Sequence, residues 1–188
     1  QAEYDALNRV IASDQFTMGS EVRAFEEQFA SQFGSKYALM VNSGSSANLL
    51  IMAALRYIQN DKINIPEGAE IIVPAVSWST TYYPLQQYGL KLKFVDIDLN
   101  TLNYDLEALS HAVTDQTRAI MVVNLLGNPN DFDVINNIID NRQIVMIEDN
   151  CESMGATFND REAGTFGIAG SYSGFYPTIF LQWREGSA

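Results

Sequence analysis

Two apolar periods exchange regularly along this chain, and that exchange constrains its fold more than any other feature. Val22, Phe25, Phe29 and Phe33 recur at helical spacing, and Gly34 follows as a stop. A strand-like run, Tyr37–Val41, comes next, then a small-residue turn at 42–46 and an apolar helix over 47–58. Residues 71–74 read as a short buried strand, 77–88 as a helix interrupted by Pro84, and 92–97 as another strand. Helices are expected at 105–112 and 132–140, with strands at 119–123, 144–147 and 170–175. Strands of four to six apolar residues separated by helices imply an α/β three-layer sandwich, a mostly parallel sheet with helices on both faces. In such sheets ligands collect at the carboxyl ends of the strands.

Composition narrows the function classes. The chain has 188 residues, 47% of them hydrophobic, enough for one substantial domain. Eleven basic against 23 acidic residues give a net charge of -12, which disfavours nucleic acid and anionic membranes as partners. A phosphate ligand remains possible, because backbone N–H groups at a helix N-terminus can hold one locally. Cys151 is the only cysteine, so no intrachain disulfide forms and a reducing compartment is expected. No apolar run approaches the roughly 18–20 residues of a membrane span. A cytoplasmic location is therefore expected, and the start at Gln1 reads as a fragment edge.

Four segments fall at expected strand ends. Asn42-Ser43-Gly44-Ser45-Ser46-Ala47-Asn48 links a strand to a helix; Ser45 and Ser46 there either hold a phosphate or simply cap the helix. Trp78, in Ser77-Trp78-Ser79-Thr80, either lies against an aromatic cofactor or fills a core or interface. In Glu148-Asp149-Asn150-Cys151-Glu152, Asp149 either pairs with a protonated ring nitrogen or caps the next helix. Gly164-Thr165-Phe166-Gly167 permits close backbone approach, and Ser173 after it can add a phosphate contact. Cys151 reads as a packing thiol and His111 as a solvated helix residue, and no cluster has metal-ligand spacing.

Taken in this order, the segments resemble the DegT/DnrJ/EryC1/StrS family of sugar aminotransferases, of the type I pyridoxal 5'-phosphate (PLP) fold. The resemblance runs from Met18 to Tyr176 and includes Met18-Gly19-Ser20-Glu21-Val22 with Phe25-Glu26, Phe94-Val95-Asp96, Leu126-Gly127-Asn128-Pro129 and Gly155-Ala156. It implies that residues 1–176 are an incomplete PLP-binding large domain. Ser45, Ser46 and Ser173 would bind the phosphate, Trp78 would stack on the ring, and Asp149 would pair with the ring nitrogen. Glu152 stands where the family's aminotransferases usually carry Gln, near the phenolic oxygen. The implied activity is transamination of a nucleotide-linked keto-deoxysugar with PLP or pyridoxamine 5'-phosphate (PMP) and a donor such as glutamate, in a homodimer. Two alternatives accompany it. Glu152 and the Asn42–Asn48 turn look closer to the sub-branch of 3-dehydratases of 4-keto-6-deoxy nucleotide sugars, which carry His in place of the catalytic Lys; an inert fragment that only binds is the other.

The family's catalytic Lys or His would follow Tyr176, and none is present there. Lys36, Lys62, Lys91 and Lys93 all precede that point, and the segment 177–188 matches no family motif. Codons for Pro-Thr-Ile-Phe-Leu-Gln-Trp-Arg-Glu-Gly, shifted by one base, are compatible with His-His-Ile-Ser-Thr-Met-Glu-Gly-Gly, so a slipped reading frame is expected near Pro177. The tail 177–188 is accordingly expected to lie outside the core.

Overall fold

Residues along each central strand point alternately into two separate cores, and this alternation builds the three layers. The structure is a computed structural model; it describes the chain except residues 141, 175–178 and 184–188, and of 179–183 it describes the backbone. In chain order the elements are α1 (Ala2–Ser13), α2 (Ser20–Gln32), β1 (Tyr37–Val41), α3 (Gly44–Tyr57), β2 (Glu70–Pro74), α4 (Ser79–Gln87) and β3 (Lys91–Val95). They continue with α5 (Leu106–Ala112), β4 (Thr117–Val123), α6 (Phe132–Ile139), β5 (Val145–Asp149), β6 (Thr157–Phe158), β7 (Arg161–Glu162), β8 (Ala169–Ser173) and β9 (Ile179–Trp183). Among the described residues, seven strands form one sheet in the order β1-β9-β8-β5-β4-β2-β3. All pairings from β8 to β3 are parallel, and β9 runs antiparallel to both of its neighbours.

Ile71 and Val73 of β2, Ala119, Met121 and Val123 of β4, and Val145 and Ile147 of β5 share a core with Ile51, Met52 and Leu55 of α3 and Leu85 of α4. The intervening Ile72, Ile120, Val122 and Met146 face Leu109 of α5 and Phe132 and Ile135 of α6. A two-residue period on strands buried on both faces produces this division. A third cluster, Phe29 of α2 with Tyr172 of β8, closes the far end of the second face. There the Glu26 carboxylate accepts the Met40 N–H at 2.8 Å, tying α2 to β1. The α/β three-layer expectation holds.

Helix starts follow capping chemistry. Ser43, Asp105 and Asp131 each accept a backbone N–H three residues ahead, opening α3, α5 and α6. Helix α4 runs through Pro84, which the sequence reading takes as an interruption. Pro84 and Leu85 are both buried, and that burial offsets the missing N–H. Helix α1, which sequence patterning misses, buries none of its residues and leaves Tyr4, Leu7 and Ile11 exposed.

The glycine segment after β7 packs on the sheet at backbone distance. A Cβ at Gly167 would stand 2.6 Å from the Met146 carbonyl oxygen, and one at Gly170 would stand 2.2 Å from that of Gly164. Buried Glu148 holds the same segment by accepting the N–H groups of Gly164 and Gly167, each at 2.6 Å, with the Asn124 amide at 3.3 Å. Burial pushes the Glu148 carboxyl pKa upward, and these donors oppose the rise.

One expectation needs correction. The backbone of Ile179–Trp183 pairs with β1 and β8 over five residues on each side, so this part of the 177–188 tail is a sheet element. Without it, β1 and β8 would each present unpaired N–H and C=O groups, and satisfying them draws the segment in. Tyr176, Pro177, the expected frame slip there and residues 184–188 lie outside the described residues.

Two stability outcomes follow. Gly170→Ala should destabilise the fold by about 1–3 kcal/mol, since the obstructing atom is backbone and cannot swing aside. An unchanged urea midpoint would contradict the close approach. Ending the chain after Tyr176 removes both ladders of β9 and should cost on the order of 3 kcal/mol or more; an unchanged midpoint would show that β9 contributes nothing.

Candidate functional site

The carboxyl ends of β4, β5 and β8 meet the amino ends of α3 and α4, and a cavity of about 250 Å³ opens between them. Its lining includes Ser45 and Asn48 from α3, Trp78 and Thr81 from the start of α4, Asp149 and Glu152 from the end of β5, and Ser173 from β8. A mostly parallel sheet dictates this placement, because every crossover returns its next helix above the carboxyl edge.

Asp149 ends β5, paired with Val123 on one side and Ser171 on the other. Its side chain is almost wholly buried, which is costly for a carboxylate unless donors replace water. Four do. Oδ2 accepts the Asn48 amide at 2.9 Å and the Thr81 hydroxyl at 2.8 Å. Oδ1 accepts the Cys151 N–H at 3.2 Å and, more distantly, the Ser171 hydroxyl at 3.4 Å. Neither Asn48 nor Thr81 is singled out by the sequence; each lies inside a helix, 101 and 68 residues from the carboxylate it meets.

The Asn48 amide has a fixed sense. Turned over, its carbonyl would face the carboxylate. In the orientation present, Asn48 Oδ1 is buried without a hydrogen-bond partner among the described residues. The buried end of the cavity thus carries a carboxylate acceptor, Asp149, held from behind by the Asn48 amide.

The opposite character appears at the helix starts. Ser43 caps α3, accepting the Ser46 N–H at 3.1 Å, and its hydroxyl lies 3.0 Å from that of Ser46. Gly44 and Ser45 occupy the first turn, where N–H groups have no intrahelical partner and the helix dipole favours an anion. Trp78 stands at the N-cap of α4 with 71% of its surface exposed, an indole that is not a core residue.

Of the six cofactor-contact candidates, Ser45, Trp78, Asp149, Glu152 and Ser173 line this cavity. Ser46 is bonded to Ser43 and lines a separate apolar groove with Val41, Leu49 and Tyr88. Glu152 Oε2 accepts the N–H of Leu126, a residue at φ 53° in the turn after β4. Ser153 holds the same turn, donating to Asn124 and accepting from Gly127 at 3.1 Å. The Leu126-Gly127 motif thereby acquires a physical role, positioning Glu152 at the cavity rim.

Cys151 also lines the cavity, beyond the packing role expected of it. Burial, then the charge of Asp149, pushes its thiol pKa far up, which disfavours the thiolate. Lys36, Lys62, Lys91, Lys93 and the exposed His111 are absent from the lining. Among the described residues no cluster of His, Cys, Asp and Glu can hold a metal ion, and no helix is long and apolar enough to cross a membrane.

Known proteins share this fold. The chain is 64% identical over 174 residues to GDP-4-keto-6-deoxy-D-mannose 3-dehydratase of Escherichia coli O55:H7, covering 93% of this chain and 44% of that protein. It is 36% identical to dTDP-3-amino-3,6-dideoxy-alpha-D-galactopyranose transaminase of Aneurinibacillus thermoaerophilus, covering 89% and 44%. The structure of E. coli GDP-4-keto-6-deoxy-D-mannose-3-dehydratase with bound hydrated PLP superposes with a TM-score of 0.93 at 58% identity, over 97% of this chain and 48% of that one. The chain thus spans about half the length of the relatives it matches. A sequence model of one family matches residues 1–188 throughout, and the chain belongs to that family, the DegT/DnrJ/EryC1/StrS aminotransferase family.

Proposed function

We propose that this chain is the cofactor-binding half of a PLP- or PMP-dependent enzyme that carries out 3-dehydration of a nucleotide-linked 4-keto-6-deoxy sugar. The cavity's polarity carries the cofactor part. The buried carboxylate at one end, Asp149, suits an N–H donor such as a protonated ring nitrogen. The first turn of α3 at the other end, with Ser45, suits a phosphate. Trp78 supplies an exposed aromatic face beside them. A pyridine ring bearing a phosphate meets all three requirements together.

When bound, the cofactor supplies an electron sink for the substrate's keto carbon. The residues of this chain set the conditions for it. Asp149 holds a negative charge at the ring nitrogen and keeps it protonated. Ser45, with Ser173, fixes the phosphate and so the ring's position. Ser46 holds Ser43 and the helix cap, supporting the phosphate turn from behind. Trp78 excludes water from one ring face. Glu152, held by Leu126, presents a carboxylate that can take or give a proton near the phenolic oxygen. The catalytic Lys or His is supplied from outside the described lining.

Transamination, the first reading from the sequence, is now the weaker one. Relatives of 64% and 56% identity are 3-dehydratases, whereas the transaminase stands at 36%. Glu152, where the family's aminotransferases usually carry Gln, supports the same choice. The proposed partners are a nucleotide sugar, glutamate as amino donor and a second copy of the protein; the proposed location is the cytoplasm.

The reading predicts the product. An enzyme containing this chain with a complete family C-terminal half, given GDP-4-keto-6-deoxymannose, PLP and glutamate, should yield a sugar lacking the C3 oxygen, seen by NMR as a new C3 methylene. A 4-amino sugar that retains the C3 hydroxyl would replace dehydration with transamination.

A further inference from the structure

We infer that Thr81, together with Asn48, is a positioning residue for Asp149, and that its hydroxyl proton sets the cofactor affinity of the site. The inference rests on the cofactor reading above. Thr81 is buried, and its hydroxyl makes the shortest of the four contacts to Asp149, 2.8 Å to Oδ2. A hydroxyl carries one proton. Since Thr81 directs that proton to the carboxylate, the 2.9 Å contact between Ser77 Oγ and Thr81 Oγ1 must be donated by Ser77. A directed chain results, Ser77 to Thr81 to Asp149, in which each bond polarises the next.

The same residue reaches the other side of the cavity. The Thr81 N–H donates to the Trp78 carbonyl at 2.9 Å, closing the first turn of α4. One residue thus joins the segment carrying the exposed indole, through its backbone, to the carboxylate, through its side chain. Asn48 donates to the same Oδ2 from α3, whose first turn carries Ser45. The carboxylate is fixed between two helices, so its charge cannot rotate away from the cavity. These are side chains that act through Asp149.

Packing and hydrogen bonding make opposite demands at this position. Valine reproduces the volume of threonine and lacks the hydroxyl; serine keeps the hydroxyl and lacks the methyl group. The test is an absorbance titration of the chain with PLP, with circular dichroism confirming that each variant is folded. Thr81→Val should raise the dissociation constant roughly tenfold or more, as for loss of a hydrogen bond to a charged group. Thr81→Ser should remain within about threefold of the parent, and Asp149→Asn should lose at least as much as Thr81→Val. Asn48→Leu, on the other helix, should weaken binding in the same direction and serves if Thr81→Val does not fold. If Asp149→Asn weakens binding while the Thr81→Val and Asn48→Leu proteins bind like the parent, the positioning role is wrong and the cofactor reading stands. A Thr81→Ser loss larger than that of Thr81→Val would make the role one of packing and overturn the inference. If the parent chain binds no PLP, or Asp149→Asn changes nothing, both readings fall.

Discussion

A buried carboxylate is expensive, and the architecture around Asp149 is arranged to meet that cost. Removing an ion from water costs several kcal/mol unless fixed donors take water's place. Here they come from three directions: Asn48 on α3, Thr81 on α4, and Cys151 with Ser171 beside β5. Only the Cys151 N–H is local; Asn48, Thr81 and Ser171 reach Asp149 once the parallel sheet is formed and both helices are docked. The charge is therefore a property of the completed fold, and the cavity exists where the donors converge.

Alternation along β2, β4 and β5 explains why the helices stand where they do. One set of apolar residues seats α3 and α4, and the alternate set seats α5 and α6. Parallel connectivity then brings the amino ends of α3 and α4 to the carboxyl edge, where their dipoles favour an anion. Beneath that edge, Glu148 secures the glycine segment and Asp149 faces the cavity, so adjacent residues of one strand serve structure and site separately. Alternation again divides the labour, since neighbours on a strand point to opposite faces.

Much of this was legible in the sequence. The strand–helix exchange carried the fold class, and strand ends carried Ser45, Trp78, Asp149, Glu152 and Ser173. The partnership of Asn48 and Thr81 with Asp149 was not legible, because an Asn or Thr in the opening turns of a helix has no local signal for a partner 101 or 68 residues away. Ser46, read as a second phosphate contact, is bonded to the Ser43 cap and lines a neighbouring groove. Helix α1 was missed because its apolar residues meet no core, and β9 because its sequence shows no sustained strand period although its backbone fills a gap in the ladder.

The central claim is that the Asp149 charge stands beside the proposed position of a pyridine nitrogen and would keep that nitrogen protonated. Ring-¹⁵N-labelled PLP reports this directly, because the nitrogen resonance moves strongly on protonation. The shift would be followed against pH for PLP free and in complex with the chain. An opposite charge within about 4–6 Å favours the protonated ring, so the bound nitrogen should lose its proton at a higher pH than the free one. A midpoint equal to or below that of free PLP would contradict the account.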